Sequence, residues 1–178
     1  MNGFATERLR PLAPGILLAL LAVAFGFAMG AAFGAAEDAL KDGLAERGRA
    51  VLDTAYGGDE AGMNQVVKKS WSYYKRAHLH ANALGTTALA AILLIAALGR
   101  PGMLEKVGAA AFGAGSLLYG VYWLLAGMRA PGMGSTGAAK ESLAFIAIPG
   151  SSLCMIGLGI TLYLVVSRLM LSGSGDGE

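Results

Sequence analysis

The stretch LAPGILLALLAVAFGFAMGAAFGAA, residues 12–36, decides the fold, because it is long, strongly apolar and free of charged side chains. A helix of this length, rising 1.5 Å per residue, is long enough to cross the ~30 Å hydrocarbon core of a bilayer. The small residues before Glu37 also suit a signal-peptide cleavage point, but the apolar region of a signal peptide is shorter, at about 7–15 residues. The stretch therefore predicts a retained membrane-spanning helix.

Three further apolar stretches can each cross a bilayer as one helix, and they cover residues 77–98, 105–128 and 141–170. Within the last of them, Pro149-Gly150 predicts a kink or local unwinding. The second and third connections are short, so neighbouring helices should be antiparallel and adjacent. We predict an all-α integral membrane protein, an up-and-down four-helix bundle formed by a single domain over residues 1–171. A disordered tail is expected over residues 172–178.

The segment over residues 37–76 is the only long polar one. Its charged residues are spaced with Leu40 and Leu44 in a helical pattern, which predicts an amphipathic helical segment between the first two spans. Gly57-Gly58-Asp59 predicts a loop, and a second helix should begin near Glu60 and continue into the next span. An aromatic and basic run at its end is typical of a membrane–water interface: Trp71, Tyr73, Tyr74, Lys75 and Arg76.

Composition agrees with a membrane protein and disfavours several function classes. Hydrophobic residues make up 55% of the chain and charged residues 15%, against about 25% charged residues in a typical soluble domain. The net charge is only +2 and no basic stripe with interleaved aromatics is present, so nucleic-acid binding is not expected. The centres of the four spans carry no charge, which disfavours a proton pump, an ion-coupled transporter and a small-solute channel.

Small residues recur along the spans at the spacing of one helix face. In the first span Gly26, Gly30 and Gly34 follow one another every four residues and would let another backbone approach closely. The chain holds 27 glycines, so ordinary glycine abundance is the alternative explanation. We expect a tight bundle and no wide aqueous pore, with further small residues contributing from the third and fourth spans: Gly108, Ala111, Gly115, Ser151, Ser152, Gly157 and Gly159.

The only two histidines lie in RAHLHANALG, residues 76–85, at the start of the second span. Histidine is a common ligand of haem iron and copper, so His78 and His80 are candidate metal ligands. Helix positions two residues apart point about 200° from each other, so these two side chains should face different neighbours. His78 shares its face with Asn82 and Gly85. The alternative is that both are interfacial histidines, satisfied by water and lipid headgroups.

The stretch RAHLHANALG resembles one in small membrane proteins related to subunit I of haem–copper oxidases and nitric oxide reductases. In that superfamily a histidine near the outer end of the second helix is an axial ligand of low-spin haem. The resemblance implies that His78 or His80 binds haem, or another metal such as copper, and that Asn82 and Gly85 support close packing. The chain has no later histidine, so a complete oxygen-reducing or NO-reducing site within one chain is excluded on ligand count.

A haem held by one histidine would need its second axial ligand from elsewhere. Met29 and Met155 lie within spans and are candidates, and Met155 joins the two histidines and Asn82 as an expected cofactor-binding residue. A histidine from a second copy is the other source. The filling of core gaps is the alternative role for both methionines and for Cys154. Three aromatic residues of the third span either stack on a quinone or tetrapyrrole, form an interfacial belt or fill helix contacts: Tyr119, Tyr122 and Trp123.

We therefore expect a small integral membrane redox protein that binds haem or another metal through His78 or His80 and acts in electron transfer or ligand sensing. The alternative is a non-catalytic accessory subunit of a larger membrane complex. The expected partners are lipid and either further copies of the chain or other subunits. The resemblance implies a bacterial inner membrane with both termini cytoplasmic, although the Lys and Arg count favours the reverse orientation. No nucleophile–base pair is visible, so enzyme activity stays open.

Overall fold

The computed structural model describes residues 2–171, and the side chains of residues 6–170. These described residues contain helices and no strand, which confirms the predicted all-α class. The expected disordered tail over residues 172–178 lies outside them. The helices are α1 (Asn2–Leu9), α2 (Ala13–Arg49), α3 (Leu52–Tyr56), α4 (Glu60–Ala97), α5 (Met103–Arg129), α6 (Thr136–Glu141) and α7 (Ala144–Val165), with 3-10 turns at Arg10–Leu12 and Pro131–Met133 and a π-helical turn at Val166–Leu171.

Four of these helices, α2, α4, α5 and α7, are long and apolar enough to cross a membrane. They run alternately up and down, so both described ends of the chain lie at the same end of the bundle. α2 and α4 extend beyond the predicted spans as one helical hairpin, which contains the amphipathic segment. α2 departs from helical geometry at Ala36 (φ −147°, ψ 31°), where the apolar stretch meets the charged one. We call the end of the bundle that carries this projection the hairpin end.

The second helix of the hairpin begins where the sequence predicts it. The side chain of Asp59 accepts a hydrogen bond of 2.9 Å from the backbone N–H of Gly62, which caps the first turn of α4. Gly57 and Gly58 adopt positive φ values of 59° and 84° in the preceding turn. This left-handed conformation favours glycine, so the Gly-Gly pair sets the loop between the two long helices.

α5 lies at the centre of the bundle and packs against α2, α4 and α7, whereas α7 packs mainly against α5. Accordingly, 56% of the most apolar window of α5 is buried, against 17% for α2 and 22% for α7. The outer faces of α2 and α7 carry large exposed side chains, among them Phe27 and Phe145, which are 69% and 70% exposed. Apolar side chains exposed along a membrane-spanning helix are in contact with lipid, as the sequence predicts.

Glycine allows the close approach of these helices at specific points. A Cβ atom built on Gly115 of α5 would lie 2.5 Å from the backbone nitrogen of Cys154 on α7, and one on Gly157 would overlap Phe112. Gly34 and Gly159 have open space instead. The predicted small-residue contacts are therefore present within the chain, but only some of the regularly spaced glycines take part.

The last span begins after a break that the sequence does not indicate. The polar residues 136–141 form the separate helix α6, and the chain turns at Ser142 and Leu143 before α7 begins. The local unwinding predicted at Pro149-Gly150 is absent, because Pro149 lies inside α7 and the helix continues through it. The chain leaves helical structure at Ser142 and Leu143 instead. Ser142 donates its hydroxyl to the carbonyl of Ala139 at 2.9 Å and so helps to end α6.

Candidate functional site

The two histidines lie on opposite faces of α4, as their spacing predicts. His78 contacts α2, and its Nδ1 lies 2.7 Å from the carbonyl oxygen of Gly26. A carbonyl only accepts, so this distance assigns the hydrogen to Nδ1, which donates it. In the part of the chain that the structure describes, Nε2 of His78 makes no hydrogen bond. In a neutral imidazole this hydrogen bond leaves the lone pair on Nε2 of the half-buried ring.

Asn82, one helical turn after His78, completes this contact between α4 and α2. Its side-chain amide donates to the carbonyl of His78 at 3.2 Å. A Cβ atom on Gly26 would lie 2.6 Å from Cγ of Asn82, and one on Gly30 would lie 2.9 Å from Cε1 of His78. Two glycines four residues apart therefore receive two polar side chains four residues apart on the antiparallel neighbour. The edge of Phe33 closes the site, with ring centroids 5.8 Å apart.

Gly85 also supports close packing, as the sequence predicts. It is buried, and a Cβ atom there would lie 2.8 Å from Cγ2 of Val23 and 3.0 Å from the carbonyl oxygen of Ala19, both on α2. Gly85, Asn82 and His78 thus form one continuous face of α4 against α2.

His80 faces α5 and joins an aromatic cluster there. Its ring stacks on Trp123 with centroids 6.1 Å apart and an interplanar angle of 22°, and it meets Tyr119 edge-on at 5.1 Å. Tyr73 packs on the indole of Trp123 at 5.0 Å, and the guanidinium of Arg76 lies 4.9 Å from the Trp123 ring. This cluster fills the contact between α4 and α5, which is the helix-filling role expected as one alternative for these aromatic residues.

The indole N–H of Trp123 is buried and has no hydrogen-bond partner in the described part of the protein. The ring itself is 9% exposed, and its neighbours present ring faces or a guanidinium. His80 likewise makes no hydrogen bond among the described residues. The cluster is therefore held by ring contacts and a cation–π interaction, and no hydrogen-bond network orients His80 as Gly26 orients His78.

The two methionines considered as second ligands, Met29 and Met155, lie in different surroundings. Cys154 faces α5 at Gly115, so the next residue, Met155, points away from α5 and is 67% exposed. Met29 packs against the buried cluster around Tyr73 and Trp123. Among the described residues, no three His, Cys, Asp or Glu side chains converge into a metal site.

Comparison with known proteins adds no further assignment. No family model, no curated protein and no solved structure matches this chain.

Proposed function

We propose that this protein is a non-catalytic membrane subunit whose helices pack onto a larger membrane complex, formed either with other chains or with further copies. The observation that carries this proposal is the contact of His78 with Gly26, Gly30 and Asn82. His78, a candidate metal ligand, is already part of a closely packed contact between α4 and α2. Its partner His80 is likewise packed into the aromatic cluster on α5.

Exposure of the outer helices supports the same proposal. α2 and α7 bury little of their apolar windows within the chain, and α7 has open space at Gly159 on its exposed face. Small residues at such a position let a further helix approach closely. The helical hairpin adds a charged surface beyond the membrane, where Lys41 and Glu37 form an exposed ion pair.

A second candidate is haem binding by His78, with the other axial ligand supplied by another chain. The hydrogen bond from Nδ1 to the Gly26 carbonyl favours it, because metal-bound histidines are usually oriented by such a bond from the other ring nitrogen. Haem would supply one-electron chemistry there. The chain itself would hold the imidazole of His78 in the ligating tautomer. With this candidate we propose a bacterial inner membrane and cytoplasmic termini, as the resemblance implies.

One experiment separates the two candidates. The protein is purified from its native membrane in mild detergent, and its absorbance spectrum, iron and copper content and co-purifying chains are measured. The packing proposal expects no Soret band and a complex of constant stoichiometry. His78→Ala should then lower the free energy of unfolding by about 1–3 kcal/mol, because it removes a hydrogen bond and the packing of a half-buried ring.

The haem candidate expects a Soret band that His78→Ala abolishes and His80→Ala spares. A Soret band of this kind would displace the packing proposal. A single monomeric chain without cofactor or partner would contradict both candidates.

A further inference from the structure

A cavity of about 480 Å³ lies at the hairpin end of the bundle, between the last turns of α2, the end of α5 and the segment that precedes α7. It has the size of an ordinary small-ligand site, for which about 300–1,000 Å³ is typical. Two arginines and no acidic residue are among the residues that line it, which are Arg47, Ala50, Met128, Arg129, Gly132, Met133 and Ser142.

Both arginines are held by neutral groups. Arg47 donates from Nη1 to the carbonyl of Met128 at 3.4 Å, and Arg129 donates from Nη1 to the hydroxyl of Ser142 at 3.2 Å. Neither guanidinium forms an ion pair with a carboxylate among residues 6–170; the ion pairs there involve other cations. A guanidinium carries five N–H donors and a permanent charge, so most of the donor capacity and both charges remain available.

The position of the cavity relative to the bilayer indicates what these charges meet. Met128 and Arg129 end the membrane-spanning helix α5, and Ser142 lies just before α7 begins. One side of the cavity therefore lies where two spans end, at the level expected for lipid headgroups, and Arg47 reaches it from the hairpin. Met128 and Met133 give the same cavity apolar surface, and Met133 is 42% exposed.

We propose that this cavity binds the phosphate headgroup of an anionic phospholipid. The phosphodiester oxygens accept hydrogen bonds from Arg47 and Arg129, since a guanidinium matches the geometry of a phosphate with two parallel N–H donors. The two methionine side chains pack against the glycerol and the upper acyl chains, for which a flexible thioether is well suited. Free inorganic phosphate has the same acceptor chemistry but lacks the apolar part, so the two sources can be told apart.

The test uses the full-length protein in detergent micelles, with bound lipid counted by native mass spectrometry during titration with dioleoyl phosphatidylglycerol or dioleoyl phosphatidylcholine. The variant Arg47→Gln/Arg129→Gln removes both cavity charges. The matched control Arg49→Gln/Lys68→Gln removes two charges from exposed positions on the hairpin that do not line the cavity. We expect phosphatidylglycerol affinity to fall about tenfold or more in the first variant, and to change less than about twofold in the control.

Three results would overturn the proposal. Equal losses in both variants would mean that the lipid is attracted only by the general positive charge of the surface. Equal affinity for phosphatidylcholine and phosphatidylglycerol would show that the cavity does not select an anionic headgroup. Full displacement of the lipid by inorganic phosphate would assign the cavity to the free ion. If the glutamine variant does not fold, Arg47→Lys/Arg129→Lys replaces it and should weaken phosphatidylglycerol binding by several-fold, because it keeps the charge and loses the paired donors.

Discussion

Arg168, in the π-helical turn after α7, donates a charged hydrogen bond to the carboxylate of Glu105 in the first turn of α5. The Glu105 side chain is only 4% exposed, and its other oxygen accepts the backbone N–H of Gly102 at 2.9 Å. One carboxylate therefore caps the beginning of α5 and joins it to the end of α7. This relationship closes the bundle at the end opposite the hairpin.

Glu105→Gln should destabilise the protein by about 1–3 kcal/mol, because it leaves the Arg168 guanidinium, whose side chain is 32% exposed, without its anion. Glutamine retains an oxygen that can still accept a hydrogen bond from the N–H of Gly102. The measured loss of stability therefore reports the ion pair and not the helix cap. The measurement is denaturant or thermal unfolding in micelles. Glu7→Gln is the control, since the Glu7–Arg100 pair lies at the same end with side chains 62% and 84% exposed. Equal effects of the two substitutions would contradict the special role of Glu105.

Gly26→Ala should destabilise the contact between α2 and α4 by about 1–3 kcal/mol, because the added methyl group overlaps the side chain of Asn82 in a packed interface. Gly34→Ala provides the matched control in the same helix. Its Cβ atom meets nothing within 4 Å, and alanine favours the helix over glycine by up to about 1 kcal/mol. The changes in unfolding free energy caused by Gly26→Ala and Gly34→Ala should have opposite signs when both are measured under the same conditions. A destabilising Gly34→Ala would show that a further helix covers this position.

The comparison of Gly26 with Gly34 also shows which features of the fold could be predicted from the sequence and which could not. Four spans are predictable because lipid leaves the backbone no hydrogen-bond partner outside its own helix. Which of three equally spaced glycines touches α4 depends on the relative position of two helices: Gly26 and Gly30 do, whereas Gly34 has open space. The sequence predicted opposite directions for His78 and His80 correctly, but the spacing of the histidines alone does not identify the backbone carbonyl that His78 contacts. Matching four-residue spacings, Gly26–Gly30 and His78–Asn82, were the available signal.

The polar contacts between residues distant in sequence could not be predicted from the sequence either. Arg47 and Arg129 are far apart in sequence and are brought to one cavity by the packing of α2 against α5. The pairing of Glu105 with Arg168 depends on the α5–α7 register in the same way. Neither register can be derived from hydropathy, because apolar side chains satisfy any register almost equally well in lipid.

Tyr56 links the hairpin loop to the segment after α5, outside the membrane. Its hydroxyl donates to the carbonyl of Pro131 at 2.8 Å, and partial burial raises the pKa of Tyr56 above its ordinary value of 10.0. A raised pKa in the folded state means that this stabilisation is complete below pH 10 and is lost as the pH rises through the folded-state pKa. Tyr56→Phe should cost about 1 kcal/mol at neutral pH.

The alkaline behaviour of the Tyr56→Phe variant distinguishes this hydrogen bond from simple packing. The difference in unfolding free energy between the native protein and the variant should shrink as the pH is raised above 10, because ionised Tyr56 can no longer donate. Contributions that the two proteins share cancel in the difference. A difference that stays constant with pH would contradict the role of the hydroxyl.

Gly157 and Gly159 test which face of α7 belongs to the chain itself and which is free for a partner. Gly157→Ala should destabilise the isolated protein by about 1–3 kcal/mol, because its Cβ atom would overlap Phe112 on α5. Gly159→Leu should leave the stability of the isolated protein nearly unchanged, since position 159 faces open space. In native membranes Gly159→Leu should have the larger effect of the two on assembly. The leucine side chain would exclude the neighbouring helix and so reduce the yield of the assembled complex. An unchanged complex would show that lipid, and no other helix, covers this face.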